Sequence, residues 1–171
     1  MMTRRHALAL STLLSGCGYH VGGKADLLPK SIQTIAIPAL NNLTTRYKFA
    51  DRLAGALTRE FIARTRYQII ADPTQADAVL SGAILTFAAY PTIFDPGTGR
   101  AAGVQVIASL QLRLVERATN RILYDRTGLE FRERYEASVD QAQYFEESDQ
   151  ALDRMSRDAA RTVVSAILEA F

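Results

Sequence analysis

Two consecutive stretches of the chain alternate apolar and polar residues, and that period restricts the fold more than any other feature. In VQVIASLQLRLVE (104–116), Val104, Val106, Ala108, Leu110, Leu112 and Leu114 fall on one side of an extended strand. Gln105, Ser109, Gln111 and Arg113 fall on the other, with Ile107 the exception. Successive side chains of a strand point to opposite faces, so one face must be covered while the other stays wet or meets a partner. Ala118, Thr119 and Asn120 supply a turn. RILYDRTGLEFRERYE (121–136) then returns with Leu123, Thr127, Leu129 and Phe131 on one side. The spacing predicts an antiparallel hairpin.

The cover is also present. From Tyr47 to Arg64 the large apolar residues Phe49, Leu53, Leu57 and Phe61 recur every four positions, while Arg52, Arg59, Glu60 and Arg64 lie off that stripe. This is a helix with one buried face. Asn41-Asn42 reads as a turn before it, and Thr44 or Thr45 as its cap. A second helix is predicted from about Ala142 to Phe171, with Leu152, Met155, Ala159, Val163 and Ile167 at spacings of three and four. Asp149, Asp153, Arg157 and Arg161 take its outward side, where Asp153 and Arg157 stand at i, i+4.

The remaining segments read as strands. Residues 31–40 form one, stopped by Pro38, and 67–72 a short one, stopped by Pro73. In 76–90, Val79, Ser81, Ala83, Leu85 and Phe87 share one face, and Leu80, Gly82, Ile84 and Thr86 the other. FDPGTGRAAG (94–103) is a Gly/Pro loop. The order β-α-β-β-β-β-α predicts one α+β domain over 31–171, a two-layer sandwich with both helices on a sheet.

The beginning of the chain has its own layout. Arg4, Arg5 and His6 precede a short apolar run, and Leu14, Ser15 and Gly16 precede Cys17, the only cysteine in the chain. A basic start, an apolar stretch and small residues at a cut site are the parts of an export signal. A lone cysteine can be a packing residue, a nucleophile, a metal ligand or an attachment point. With the small pair directly ahead of it, Cys17 resembles the lipobox cysteine of bacterial lipoproteins. That resemblance implies a signal peptide over 1–16, diacylglycerol on the Cys17 sulfur, an acyl group on its new amino terminus, and a tether over 17–30. Two or three acyl chains anchor a protein stably, whereas one does not. Gly18, and not Asp, follows the cysteine, which by the same resemblance implies passage to the outer membrane. Arg4-Arg5 leaves both general and twin-arginine export open.

Charge and residue usage exclude whole classes. Without the first 16 residues the chain carries 18 basic and 18 acidic side chains. A nucleic-acid binder needs a basic excess to neutralise phosphates, so that partner is not expected. After Cys17 the only histidine is His20, in the tether, so neither a zinc site nor a histidine-based nucleophile can be assembled. Glu130, Glu133, Glu136, Glu146 and Glu147 sit among Arg132, Arg134 and Tyr135, which reads as a salt-bridged face and not an acid/base pair. No catalytic residue, metal or other cofactor is expected.

Taken together, CGYHVGG after the lipobox, the strand SIQTIAIP, the helix stripe, the long hairpin and the ending from Phe131 to Phe171 resemble the lipopolysaccharide-assembly lipoprotein family LptE. The resemblance implies two helices on a sheet of about four strands. It further implies a plug inside an outer-membrane β-barrel of the LptD type, on the periplasmic side, aiding barrel assembly and engaging lipopolysaccharide. A surface for phosphates and acyl chains mixes guanidinium groups with apolar patches. The candidates are Arg100 in the 94–103 loop, Arg113, Arg126, Arg132 and Arg134. The stretch from Ile32 to Leu85 also resembles periplasmic lipoproteins that activate peptidoglycan synthases or line the curli secretion pore, which is the alternative reading.

Overall fold

The structure is a computed structural model that describes residues 28–138 and 141–170. The expected signal, Cys17 and His20 lie outside the described residues. The elements are β1 (Thr34–Ala36), β2 (Asn41–Asn42), α1 (Tyr47–Arg64), β3 (Gln68–Ile70), a single 3-10 turn (Pro73–Gln75), β4 (Ala78–Phe94), β5 (Ala101–Glu116), β6 (Arg121–Glu136) and α2 (Gln141–Glu169). They form a mixed six-stranded sheet in the order β3-β1-β4-β5-β6, with β2 also pairing to β4. Periodicity predicts five strands and the resemblance about four; the additional strand is the two-residue β2, while β3 falls within the expected short strand 67–72. Asn41-Asn42, expected as a turn, is a strand whose second residue then makes one: Asn42 Oδ1 accepts from the Thr44 amide at 2.9 Å. The 94–103 loop shrinks to six residues because β4 and β5 pair almost to the end of their hairpin.

β5 is the spine of the domain. Its even-numbered residues from Val104 to Leu114 are all buried, as the alternation requires. Over them lie Phe49, Leu53, Leu57 and Phe61 of α1 and Met155, Ala159, Val163 and Ile167 of α2. Each large side chain removed from water in this way contributes about 1.5–3 kcal/mol.

The neighbours of β5 keep phase with it only through bulges. Leu85 is skipped in the β4–β5 register, so Ile84 faces Leu110 and Phe87 faces Ala108. Phe87 therefore joins the helix-covered face, where its ring lies 5.6 Å from that of Phe49. The expectation that Phe87 continues the Val79 face, and Thr86 the Ile84 face, fails at this one inserted residue. In β6, Gly128 adopts φ +76° and is skipped between Thr127 and Leu129, and Leu123 is skipped between Ile122 and Tyr124. Leu129 and Phe131 consequently share the covered face with Tyr124 and Tyr135, while Thr127 turns to the open face. A left-handed φ is cheap for glycine, which is why this bulge falls there.

Polar clamps fix the ends. Asp77 Oδ2 accepts from the amides of Gln33 and Thr34 and from Thr34 Oγ1, at 2.8–3.0 Å, tying β1 to β4. Glu116 is buried and accepts from Ser31 Oγ at 2.7 Å and Thr119 Oγ1 at 2.5 Å. Arg52 of α1 reaches Asp149 at 3.0 Å and Asp153 at 3.2 Å on α2. Asp153 thus serves the other helix, in place of the expected i, i+4 pair with Arg157.

Two measurements check this arrangement. A Cβ on Gly82 would stand 2.4 Å from the Gln111 carbonyl and 2.5 Å from Leu112 Cδ2. Gly82→Val is expected to destabilise by about 1–3 kcal/mol in urea unfolding, as overpacking does. Separately, the amide and hydroxyl donors of Gln33 and Thr34 hold the Asp77 carboxyl below its usual range. A depressed folded value means stabilisation that is complete at neutral pH and fades as pH falls below about 4 through the folded value. Asp77→Asn should lower stability at pH 7 and flatten that acid limb, read from denaturation midpoints against pH.

Candidate functional site

The helices cover one face of the sheet and leave the other open. Register places the open-face residues in rows across β4, β5 and β6: Ser81-Arg113-Asp125, Ala88-Ile107-Arg132 and Tyr90-Gln105-Arg134. At the distal end of the β4–β5 hairpin the rows become apolar and exposed. Tyr90, Ile93 and Phe94 are 54%, 62% and 59% accessible. No charged residue occurs in β4 from Ala78 to Phe94, so this tip is an uncharged apolar projection beside guanidinium groups.

The five expected arginines are not equivalent. Arg113 pairs with Asp125 at 2.6 Å directly across β5–β6, and Arg132 donates to Glu130 at 2.6 Å along β6. Arg126 lies on the opposite, helix-side face, because the Gly128 bulge shifts the phase, and sits 5.9 Å from the Tyr124 ring centroid. The guanidinium groups of Arg100 and Arg134 meet no partner among the described residues. Arg100 lines a cavity of about 340 Å³ with Ala89, Pro91, Ala101, Val104, Ala137 and Ser138. Arg134 lines one of about 670 Å³ with Ile93, Tyr135, Glu136, Glu147 and Arg154. Val104 belongs to both walls. Arg100 and Arg134 thus line neighbouring cavities that share Val104, while Arg113 and Arg132 are held in ion pairs on the open face and Arg126 is set apart.

Two groups of residues at this end were not singled out by the sequence pattern. Tyr90, Ile93 and Phe94 lay in the blurred end of a strand, where the absence of charge was the available signal. Arg154 of α2 was hidden in a helical repeat, yet it donates to Glu133 Oε1 at 3.0 Å and to the Arg134 carbonyl at 3.1 Å. It docks the helix on β6 and positions the backbone that carries Arg134. Glu130 and Glu133 are both engaged by arginines, the salt-bridged arrangement expected of that acidic run.

Among the described residues no cluster of three metal-ligating side chains occurs, and no helix is long and apolar enough to cross a membrane. The carboxyls whose acidity clearly departs from ordinary, Asp72, Asp77, Asp95 and Glu116, are all held low by donors, chiefly hydroxyl and backbone groups. None is raised as a general acid would be. What this end offers is shape, apolar area and fixed positive charge, the equipment of a binding or assembly module.

Comparison with known proteins carries the class further. The family model described as LptE, lipopolysaccharide-assembly, matches residues 32–167. The chain belongs to that family. Solved structures share the fold at low identity. Uncharacterized lipoprotein B from Nitrosomonas europaea is 16% identical, with a TM-score of 0.55, covering 89% of this chain and 96% of that one. Rare lipoprotein B from Shewanella oneidensis is 14% identical, with a TM-score of 0.51, covering 80% and 95%. PelC from Paraburkholderia phytofirmans, solved as a dodecamer, is 14% identical, with a TM-score of 0.52, covering 81% and 90%. No curated protein matches the chain.

If the tip is surface for a partner and not part of the core, removing its aromatics should cost little stability. The double variant Tyr90→Ser, Phe94→Ser is expected to shift the unfolding free energy by less than about 0.5 kcal/mol. Binding of a dye specific for exposed apolar surface should fall in the same variant.

Proposed function

We propose that this chain is an outer-membrane lipoprotein, held on the periplasmic side through diacylglycerol and an amino-terminal acyl group on Cys17. In that reading it plugs an outer-membrane β-barrel of the LptD type, aids the barrel's assembly and helps deliver lipopolysaccharide to the cell surface. Membership of a lipopolysaccharide-assembly family over 32–167 is the observation that carries the proposal. The open face supports it. A folded plug needs polar and apolar surface in place of a closed hydrophobic shell, and the sheet presents paired arginines, Ile107 and the apolar hairpin tip there. Phosphate groups of the glycolipid would meet Arg100 and Arg134, the two cations at the tip without a partner among the described residues, while acyl chains would meet Tyr90, Ile93 and Phe94. Arg132, already paired, would add less.

The test uses the full exported chain. Capture from membranes should retrieve an outer-membrane barrel; retrieval of a peptidoglycan synthase instead would favour the alternative reading. In parallel, lipopolysaccharide binding by Arg100→Ala, Arg132→Ala, Arg134→Ala is expected to weaken about tenfold or more, at about 1.5–3 kcal/mol per charged hydrogen bond. Equal binding would remove these residues from the glycolipid role. Cys17→Ser should move the protein from the membrane to the soluble periplasmic fraction.

A further inference from the structure

A third cavity, lined by none of the five arginines, lies between the covered face of the sheet, the start of α1 and the Ser148–Leu152 turn of α2. Its volume is about 160 Å³, and its walls are Arg46, Phe87, Ala89, Val106, Tyr135, Ser148 and Leu152. Phe87, Ala89, Val106 and Leu152 make the interior apolar. An apolar protein cavity of about 150 Å³ takes a benzene molecule, so this one accommodates roughly six carbons. Ala89 also lines the cavity that holds Arg100, and Tyr135 the one that holds Arg134, so the three cavities are neighbours.

The mouth is cationic for a reason independent of the cavity. Arg46 is the boundary residue of α1, and the helix begins without a capping side chain and without an acidic residue in its first turn. The expected caps do not serve: Thr44 Oγ1 accepts from the Arg46 amide at 3.2 Å, ahead of the helix. Lys48 follows inside the first turn and pairs with Asp149 at 3.8 Å. Positive side chains at the positive end of a helix are unfavourable, and an anion there is favoured twice, by the amides and by the cations. The Arg46 guanidinium meets no partner among the described residues.

We propose that this cavity binds one acyl chain of an anionic amphiphile, with the tail against Phe87, Ala89, Val106 and Leu152 and the phosphate or carboxylate at Arg46. The proposal deepens the glycolipid reading by naming a separate seat for a single chain, and it stands on the cavity and the helix start. An acyl phosphate-bearing glycolipid and a free acyl anion share this chemistry.

Dodecyl phosphate, titrated below its micellar concentration into the full exported chain by calorimetry, tests it. One molecule per chain is expected. Arg46→Gln should weaken binding about tenfold, the loss of one charge-assisted hydrogen bond. Dodecyl maltoside, with the same tail and an uncharged head, should be weaker by a similar factor. Ala89→Leu should abolish binding; Ala89 is exposed at the rim, so the fold tolerates the change, checked by an unaltered thermal midpoint. Inorganic phosphate alone should not bind. Competition by lipopolysaccharide would identify the glycolipid as the source of the chain, and competition by dodecanoate a free acyl anion. Wild-type affinity in both variants, or inorganic phosphate binding as tightly as dodecyl phosphate, would overturn the proposal. Barrel capture is read alongside. A wild-type chain that captures the barrel but ignores dodecyl phosphate defeats the cavity and leaves the plug reading standing; a chain that binds dodecyl phosphate but captures no barrel does the reverse.

Discussion

Burial of one face of β5 is the constraint on which the rest depends. Six apolar residues at alternate positions must leave water, and among the described residues there is no second sheet to cover them. Two amphipathic helices do so, and their stripes are matched to that face. Because β5 is regular, every irregularity is pushed to its neighbours. The skipped residues Leu85, Leu123 and Gly128 are where β4 and β6 reset their phase to stay in step. The choice of which arginines face outward follows from that. Without the Gly128 bulge, Arg126 would fall with Arg132 and Arg134.

The polar clamps explain why such a small domain holds a definite shape with one face uncovered. Asp77 and Glu116 fix the proximal end, where β1 and the β5–β6 turn meet β4 and β5. Arg52 and Arg154 tie helix to helix and helix to sheet. Beyond Ile84, β4 pairs with no strand other than β5 among the described residues, so the hairpin tip projects from a braced body. Apolar side chains and guanidinium groups without a partner among the described residues collect at that end, which is the composition a phosphorylated, acylated ligand calls for.

Local periodicity made the body of the fold legible. The alternation of 104–116 and the four-residue stripe of 47–64 each encode a face, and both faces are buried as expected. A strand pair two residues long is set by tertiary contacts, so β2 left no trace in the pattern, whereas β3 was legible as the short apolar run before Pro73. Bulges are equally hard to see: Leu85 looks like any strand residue, and only its skipped pairing sends Phe87 to the core. Among the site residues, Arg100 and Arg134 were legible as cations near a loop and a strand end. Their lack of a partner among the described residues, and the commitment of Arg113 to Asp125, depend on which side chains the register sets opposite each other. Arg46 was unreadable because its significance lies in what the first turn of the helix lacks.

The fold alone does not choose a role, since PelC, solved as a dodecamer, shares it; the family match points to lipopolysaccharide assembly, and the open sheet face is the surface we propose for it. A photoreactive residue in place of Gln105, in the centre of the Tyr90-Gln105-Arg134 row, tests this most directly in living cells. An adduct with a large outer-membrane β-barrel is expected, diminished when the hairpin tip is stripped of Tyr90 and Phe94. An adduct with a peptidoglycan synthase, or no protein adduct on an intact membrane, would contradict it.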